Sequence, residues 1–205
     1  MAYWHAKRLD RMLTSTITNG GARTMRRLTL NALAVARVWI GSLPDAVYPG
    51  SDQLKRTLTA QGQAVEHERL AAIELRVPRG GHTIYGLLGG RLTPLGADRL
   101  DIAVWTVEAT ERLLVDPHPL VHEQVHVGLP SYLAVGVLEG IGQMSQQGEP
   151  LRPGSLVLNC AAYAVVSSCA MVYKHLTTIL VSLLSAPSMD LSDEELVGLF
   201  PQRFE

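Results

Sequence analysis

The chain has 205 residues, of which 47% are hydrophobic and 18% are charged, and its formal net charge is -1. These values exclude a disordered chain and are typical of a folded protein with one sizeable core. Charge is unevenly divided, because residues 1–70 hold ten Lys and Arg against five Asp and Glu, and the rest of the chain is acidic. The basic part is compatible with an RNA or another acidic partner, whereas the acidic part argues against a general nucleic-acid surface.

Residues 1–70 are predicted to form a basic helical extension. Apolar residues recur at helical spacing in residues 5–17 and 22–43, and Ser51 can cap a third helix that runs to about Leu70. The basic side chains of this extension that are candidates for phosphate contacts are Arg23, Arg26, Arg27, Lys55 and Arg56. The apolar faces of the same helices could form a dimer surface, so a homo-oligomeric assembly subunit is one alternative function.

From Ala71 onward the apolar pattern changes from helical to alternating, which is typical of strands. Residues 73–77, 84–92 and 100–107 are predicted strands, and Gly80-Gly81 is a turn between the first two. We therefore predict a second domain over residues 71–205.

The stretch around which this domain is organised is residues 127–174. Pro130 suits the first turn of a helix, and the apolar residues behind it recur at helical spacing. An almost wholly apolar run follows in residues 155–163, with the length of a buried strand. Ser167 and Ser168 then stand where the N-cap of a second helix is expected.

The two cysteines, Cys160 and Cys169, fall inside apolar runs and are expected to be reduced core thiols. The N-terminus lacks the pattern of a signal peptide. Residues 155–173 are uncharged and about long enough to cross a bilayer, but turn-like residues at their centre favour a strand followed by a helix. We expect a cytoplasmic protein without a membrane segment.

Three blocks of glycine, proline and apolar residues follow one another along the second predicted domain. They are, in chain order, Gly80-Gly81 with Tyr85-Gly86 and residues 92–95, then residues 137–141 behind Pro130, then Tyr163, Val166, Ser168, Met171, Tyr173 and Lys174. In this order and spacing they resemble the fourth domain of the translocating translational GTPases, the elongation factor G and tetracycline ribosomal-protection families. The resemblance covers roughly residues 71–184.

The resemblance implies an α+β fold, a left-handed βαβ domain in which two helices cover a four-stranded sheet, as in ribosomal proteins. It also implies a non-enzymatic module that binds the ribosome or a structured RNA, since the tip of this domain enters the decoding site in the family. There it pushes on transfer RNA or displaces a bound antibiotic. His82, Tyr163 and Ala164 would lie near the tip. Ala164 and Ser167 stand where the family has His and Asp, so two polar contacts of the family differ.

The sequence does not contain the Gly-x-x-x-x-Gly-Lys-Ser/Thr pattern of a phosphate-binding loop. We therefore expect an isolated module that lacks the GTPase domain and does not hydrolyse GTP. Such a module needs no cofactor.

A competing pattern lies just before the Pro130 helix. His122-Glu123-Gln124-Val125-His126 reads His-Glu-x-x-His, which on a helix can bind zinc through both histidines while the glutamate activates a water. His118 could add a third nitrogen ligand. The flanking proline and glycine leave room for barely two helical turns, so the segment also fits a half-buried strand with His122 and His126 facing solvent. A zinc-dependent hydrolase that uses Glu123 is therefore an alternative function.

Overall fold

The computed structural model describes residues 24–30, 34–108, 110–118, 123–149 and 151–201. Within these ranges eight strands form one mixed sheet, accompanied by three helices. The strands are β1 (Thr24–Thr29), β2 (Val35–Ile40), β3 (Asp52–Thr59), β4 (Arg69–Arg79), β5 (His82–Thr93), β6 (Arg99–Thr106), β7 (Val125–Val127) and β8 (Gly154–Ala164). The helices are α1 (Ser131–Gln146), α2 (Ala170–Ser185) and α3 (Asp193–Gly198).

The order of strands across the sheet is β1-β2-β4-β5-β8-β6-β3, and the short β7 pairs with the end of β8. Neighbouring strands are antiparallel except for β6 and β8, which are parallel. A parallel pair needs a crossover connection, and α1 lies on it. The strands β1 and β3 end the order on its two sides.

Helices α1 and α2 pack together on one face of the sheet. Gly86 on β5 faces α2, because a Cβ added to it would lie 2.9 Å from Cδ1 of Leu176. A Cβ on Gly136 of α1 would overlap the carbonyl oxygen of Ala170, and one on Gly140 would lie 2.7 Å from the carbonyl oxygen of Lys174. The two helices are thus in backbone contact. They run in the same direction, because moving four residues forward along α1, from Gly136 to Gly140, moves the contact four residues forward along α2, from Ala170 to Lys174.

The predicted fold, a four-stranded sheet covered by two helices behind a helical extension, is wrong. Residues 24–29, 35–40 and 52–59 form strands of the same eight-stranded sheet instead of helices. In β2, Ala36, Val38 and Ile40 are buried at every second position, which is the period of a strand. The helices predicted over residues 22–43 and from Ser51 to Leu70, on which part of the dimer surface was placed, are therefore wrong as well. The predicted helix in residues 5–17 lies outside the described residues, and the homo-oligomer itself stays a prediction.

The predicted strands at residues 73–77, 84–92, 100–107 and 155–163 are confirmed, as are the two helices that follow Pro130 and the 165–168 loop. The predicted cap is wrong, because Cys169 is the N-cap residue of α2 and its side chain makes no capping hydrogen bond. Ser168 Oγ instead donates to the carbonyl oxygen of Tyr85 and accepts from the Ala164 N–H, so it ties the loop to β5.

The expectation of two core thiols is confirmed for Cys160, which is buried, and is wrong for Cys169, which is exposed. In the described part of the chain, no helix is both long and apolar enough to span a membrane. The apolar stretch that suggested a span is divided between β8 and α2.

The backbone contact between α1 and α2 predicts a strong sensitivity to a single methyl group. Gly136→Ala should lower the free energy of unfolding by about 1–3 kcal/mol, because the added carbon has to push α2 away. Urea unfolding followed by circular dichroism measures this change. Gly198→Ala is the matched control, since its Cβ would meet no atom within 4 Å. An equal loss of stability in both variants would contradict the close packing.

Candidate functional site

One end of the sheet gathers several loops that are distant in sequence. The turn between β4 and β5 lies there together with the 165–168 loop, because the Tyr85 N–H donates to the carbonyl oxygen of Ser167 at 3.0 Å. Val125 at the start of β7 pairs with Ala164 at the end of β8. The N-termini of α1 and α2 reach the same end, since Gly136 contacts Ala170. We call the 79–82 turn and the 165–168 loop the tip.

Of the predicted tip residues, the structure exposes one and buries two. His82 is exposed on the turn, whereas Tyr163 and Ala164 are buried at the end of β8. The Tyr163 ring stacks on His126 with the centroids 5.5 Å apart, and burial raises the pKa of Tyr163. Val166, which the third resembling block contains, is 82% exposed, and its neighbour Val165, which the sequence analysis missed, is 66% exposed. The position of Val165 beside a predicted loop residue was the available signal.

Glu123 supports the loop of the tip. Its carboxylate accepts from the Val166 N–H at 3.0 Å and from the Ser167 hydroxyl. The alternative in which the His-Glu-x-x-His motif lies on a helix does not fit the described residues. His126 lies in strand β7, and its Nδ1 is 3.0 Å from the carbonyl oxygen of Thr110. The strand interpretation of this segment is confirmed for residues 125–127.

The predicted zinc ligands are not gathered in one place by the described residues. His118 is buried beside Glu74, its backbone N–H donating to Glu74 Oε1 at 3.0 Å, while His126 lies on β7. His122 lies outside the described residues. In the ranges that are described, no group of three or more His, Cys, Asp or Glu side chains could hold a metal ion. Zinc binding stays a prediction of the sequence.

A buried ion pair occupies the face of the sheet that points away from α1 and α2. Side chains alternate along a strand, so Glu74 and Tyr85 point away from the helices while Leu75 and Gly86 point toward them. Arg37 Nε donates to Glu74 Oε2, and these two side chains are 2% and 0% exposed. The Tyr85 hydroxyl donates to Glu74 Oε1 at 2.8 Å.

The same arginine holds a segment over this face. Arg37 donates to Asp116 through Nη1 to the carboxylate at 2.9 Å and through Nη2 to the carbonyl oxygen at 2.6 Å. Residues 110–118, which we call the strap, also pair with β7 through the Leu114 and Val127 N–H groups. Burial alone would lower the pKa of Arg37, but Glu74 and Asp116 outweigh it and raise this pKa. The arginine therefore stays charged.

Further cations lie toward the same end of the sheet, and we define Arg27, Arg76, Arg79 and His82 as the basic corner. By the alternation of side chains, Arg27 and Arg76 lie on the face of Glu74, whereas Arg79 and His82 lie at the end of the β4–β5 hairpin on the face of Leu75 and Gly86. Arg27 on β1 pairs across the sheet with Arg37 on β2, which pairs with Glu74 on β4. Burial lowers the pKa of His118, and Arg37, Arg76 and Arg27 lower it further against the opposing effect of Glu74. The shift reports that Arg27, Arg37 and Arg76 lie close to His118. Arg27, Arg79 and His82 are exposed.

The other predicted phosphate-binding residues are spread over the molecule. Lys55 and Arg56 lie on β3, which is six strand steps from β1, or roughly 25–30 Å. Arg56 Nη1 donates to the Leu138 carbonyl oxygen at 3.2 Å, and Arg26 Nη1 lies 3.4 Å from Asp193 Oδ1. Arg23 lies outside the described residues. The described members of the predicted set thus do not form one surface, and Arg27 with His82 are the two that belong to the basic corner.

Comparisons of the chain with protein-family models, with curated proteins and with solved structures found no match. The three resembling blocks of the sequence fall on different elements of the fold. The first of these blocks lies on the 79–82 turn and β5, the second in α1, and the third on the 165–168 loop and α2. Two of the three blocks thus contribute residues to the tip.

The buried pair predicts an unequal response to two similar substitutions. Glu74→Gln should lower the free energy of unfolding by about 3 kcal/mol, because it removes the buried partner of the Arg37 charge and leaves only the exposed carboxylate of Asp116. Glu68→Gln removes a carboxylate that is 44% exposed and 3.8 Å from Arg91, so its cost should stay below ~1 kcal/mol. Urea unfolding of both variants at neutral pH tests this. Equal costs would show that Glu74 does not balance a buried charge.

Proposed function

We propose that this chain is a non-enzymatic cytoplasmic module that binds the ribosome, or another structured RNA, through the basic corner and the tip. The observation that carries the proposal is that exposed Arg79 and His82 lie on the turn of the tip, together with exposed Val165 and Val166 on its loop, while exposed Arg27 lies toward the same end of the sheet on the other face. Cations supply contacts to phosphate groups, and a protruding loop reaches into a groove or cleft of a folded RNA.

The local charge supports an anionic partner although the whole chain is almost neutral. Around His118, the cations Arg27, Arg37 and Arg76 lie near the carboxylates Glu74 and Asp116, so positive charge exceeds negative charge by one. The formal net charge of the chain is -1. A local excess of this kind orients a charged partner toward one side of the protein and speeds its association.

The resemblance to the elongation factor G and tetracycline ribosomal-protection families names the RNA. In those families the corresponding loop probes the decoding site of the ribosome, and here residues of two resembling blocks lie at the tip. A protective activity against a ribosome-bound antibiotic is the form of this function that the second family implies. Ala164 is buried and the Ser167 hydroxyl donates to Glu123, so the tip would contact its target through exposed Val165 and Val166 and through the flanking arginines.

The proposal predicts that binding depends on one corner of the protein and on salt. Arg27→Glu/Arg79→Glu should weaken co-sedimentation with purified ribosomes and reduce the slope of log affinity against log salt by about 2, one unit for each lost phosphate contact. Both side chains are exposed, so the fold should persist. Affinity is measured at several salt concentrations.

The matched control is Lys55→Glu/Arg99→Glu, which changes charge equally at exposed positions near the other edge of the sheet. It should leave both the affinity and the salt slope close to those of the unchanged protein. Absence of ribosome binding by the unchanged protein at low salt would overturn the proposal. So would an equal loss in both double variants, because binding would then follow overall charge.

A further inference from the structure

Strand β3 forms one edge of the sheet, and within the described residues no strand pairs with its outer side. It is eight residues long and runs antiparallel to its inner neighbour β6. The backbone N–H and C=O groups that point outward from an edge strand form a row without ladder partners. Such a row is a template for pairing with a further strand.

The pairing of β3 with β6 determines which residues present this row. The Ala60 N–H donates to the Asp98 carbonyl oxygen at 3.2 Å, one step beyond the last residue pair of the β3–β6 register. Backbone groups of an antiparallel strand point to alternate sides from one residue to the next, so the even-numbered residues point theirs toward β6. Gln53 and Lys55 therefore present their backbone groups at the outer edge. The Gln53 N–H agrees with this, because it donates to the Asp52 carboxylate at 2.7 Å instead of to β6.

The side chains of β3 that face the helices carry opposite charges on either side of a leucine. Arg56 lies on this face, since its Nη1 donates to the carbonyl oxygen of Leu138 in α1 at 3.2 Å, and Asp52 and Leu54 share the face by alternation. Asp52 and Arg56 are exposed, whereas Leu54 is partly buried. In the part of the chain that the structure describes, neither of the two charged side chains takes part in an ion pair.

A second copy of β3 matches this arrangement in one register. When two such strands pair antiparallel around a two-fold axis perpendicular to the sheet, opposite residues share a face and outward residues hydrogen-bond with one another. Registers centred on Lys55 or Arg56 place two identical cations opposite each other, which is destabilising. The register centred on Leu54 places Asp52 of each copy opposite Arg56 of the other. Of the registers centred within residues 53–57, it alone pairs opposite charges.

The same register satisfies the outward backbone groups. Gln53 of each copy lies opposite Lys55 of the other, so the two residues exchange their N–H and C=O groups across the edge. The Gln53 N–H then donates to the second copy, and the Asp52 carboxylate that held it is released to Arg56. Leu54 lies opposite its own copy at the shorter Cα spacing of antiparallel pairs, about 4.5 Å, which gives the contact an apolar centre.

The helices leave room for this contact. Helix α1 packs over β6, the strand next to β3. In the paired arrangement three strand spacings, or about 14 Å, separate the β6 strands of the two copies. Packed helices lie roughly 8–10 Å apart, so the two α1 helices do not collide. The space between them accommodates the side chains of Asp52 and Arg56 from both copies.

From this match we infer that the chain forms a symmetric homodimer in which the β3 strands of two copies pair antiparallel about Leu54 and continue the sheet from one copy into the other. The dimer does not use the basic corner, since β1 ends the order of strands on the opposite side of the sheet from β3. The strands of the two copies run in opposite directions, so the two tips point to opposite ends of the dimer.

Sedimentation equilibrium of the full chain from low micromolar concentration upward tests the dimer. The unchanged protein should dimerise, and Lys55→Pro should weaken the dimer by at least ~10-fold, because proline removes an N–H that points to the second copy and leaves the β6 ladder intact. Thr59→Pro is the matched control. Its N–H points to the same edge but lies beyond the paired residues, so this variant should dimerise like the unchanged protein.

A charge exchange tests the register. Asp52→Arg and Arg56→Asp should each weaken association by at least ~5-fold, because each places like charges opposite each other at both ends of the contact, and the double variant Asp52→Arg/Arg56→Asp should restore it. Circular dichroism and urea unfolding establish that each variant is folded. A monomer at all concentrations would overturn the inference. So would equal weakening by the two proline variants, or a double exchange that fails to restore the dimer.

Discussion

The close contact between α1 and α2 is the constraint on which the rest of this structure depends. Gly136 and Gly140 bring the backbone of α1 against the backbone of α2 at Ala170 and Lys174. Because both helices run in the same direction, their N-termini meet at one end of the sheet. The end of β8 and the loop before α2 lie at this end, so helix packing sets where the tip is.

The opposite face of the sheet is organised by a buried ion pair. Burying two charges costs desolvation energy, so such a pair is weak evidence for stability, although removal of one partner is costly. Here the Arg37–Glu74 pair has a positional effect, since Arg37 holds Asp116 and Glu74 holds the backbone of His118. The strap stays over the sheet in this way, and Arg27 and Arg76 lie near its end at His118. The helix layer and the Arg37–Glu74 pair thus use different faces of one sheet.

The elements that the sequence predicted correctly are those with strong local patterns. A short stretch of sequence is enough to identify these elements: the apolar run of β8, the alternating residues of β4 and β5, and the helically spaced apolar residues behind Pro130. The predictions for β1, β2 and β3 were wrong because the short apolar patterns of these segments fit both the helical period and the strand period. In β2 the buried Arg37 looks like a solvent-facing residue, and only Glu74, which lies 37 positions later in the chain, explains its burial. For the same reason the basic corner was only half visible: Arg27 and His82 were identified, but Arg76 and Arg79 were not.

The most direct test of the functional account is ultraviolet crosslinking of the protein to ribosomes, with the crosslinked peptides identified by mass spectrometry. The account predicts RNA adducts on peptides that contain residues 79–82 and residues 165–168, because these loops form the protruding end beside the exposed arginines. Adducts confined to β3 and the outer face of α2 would contradict it. Such adducts would mean that Lys55, Arg56 and Lys174 carry the contact and that the basic corner has another role.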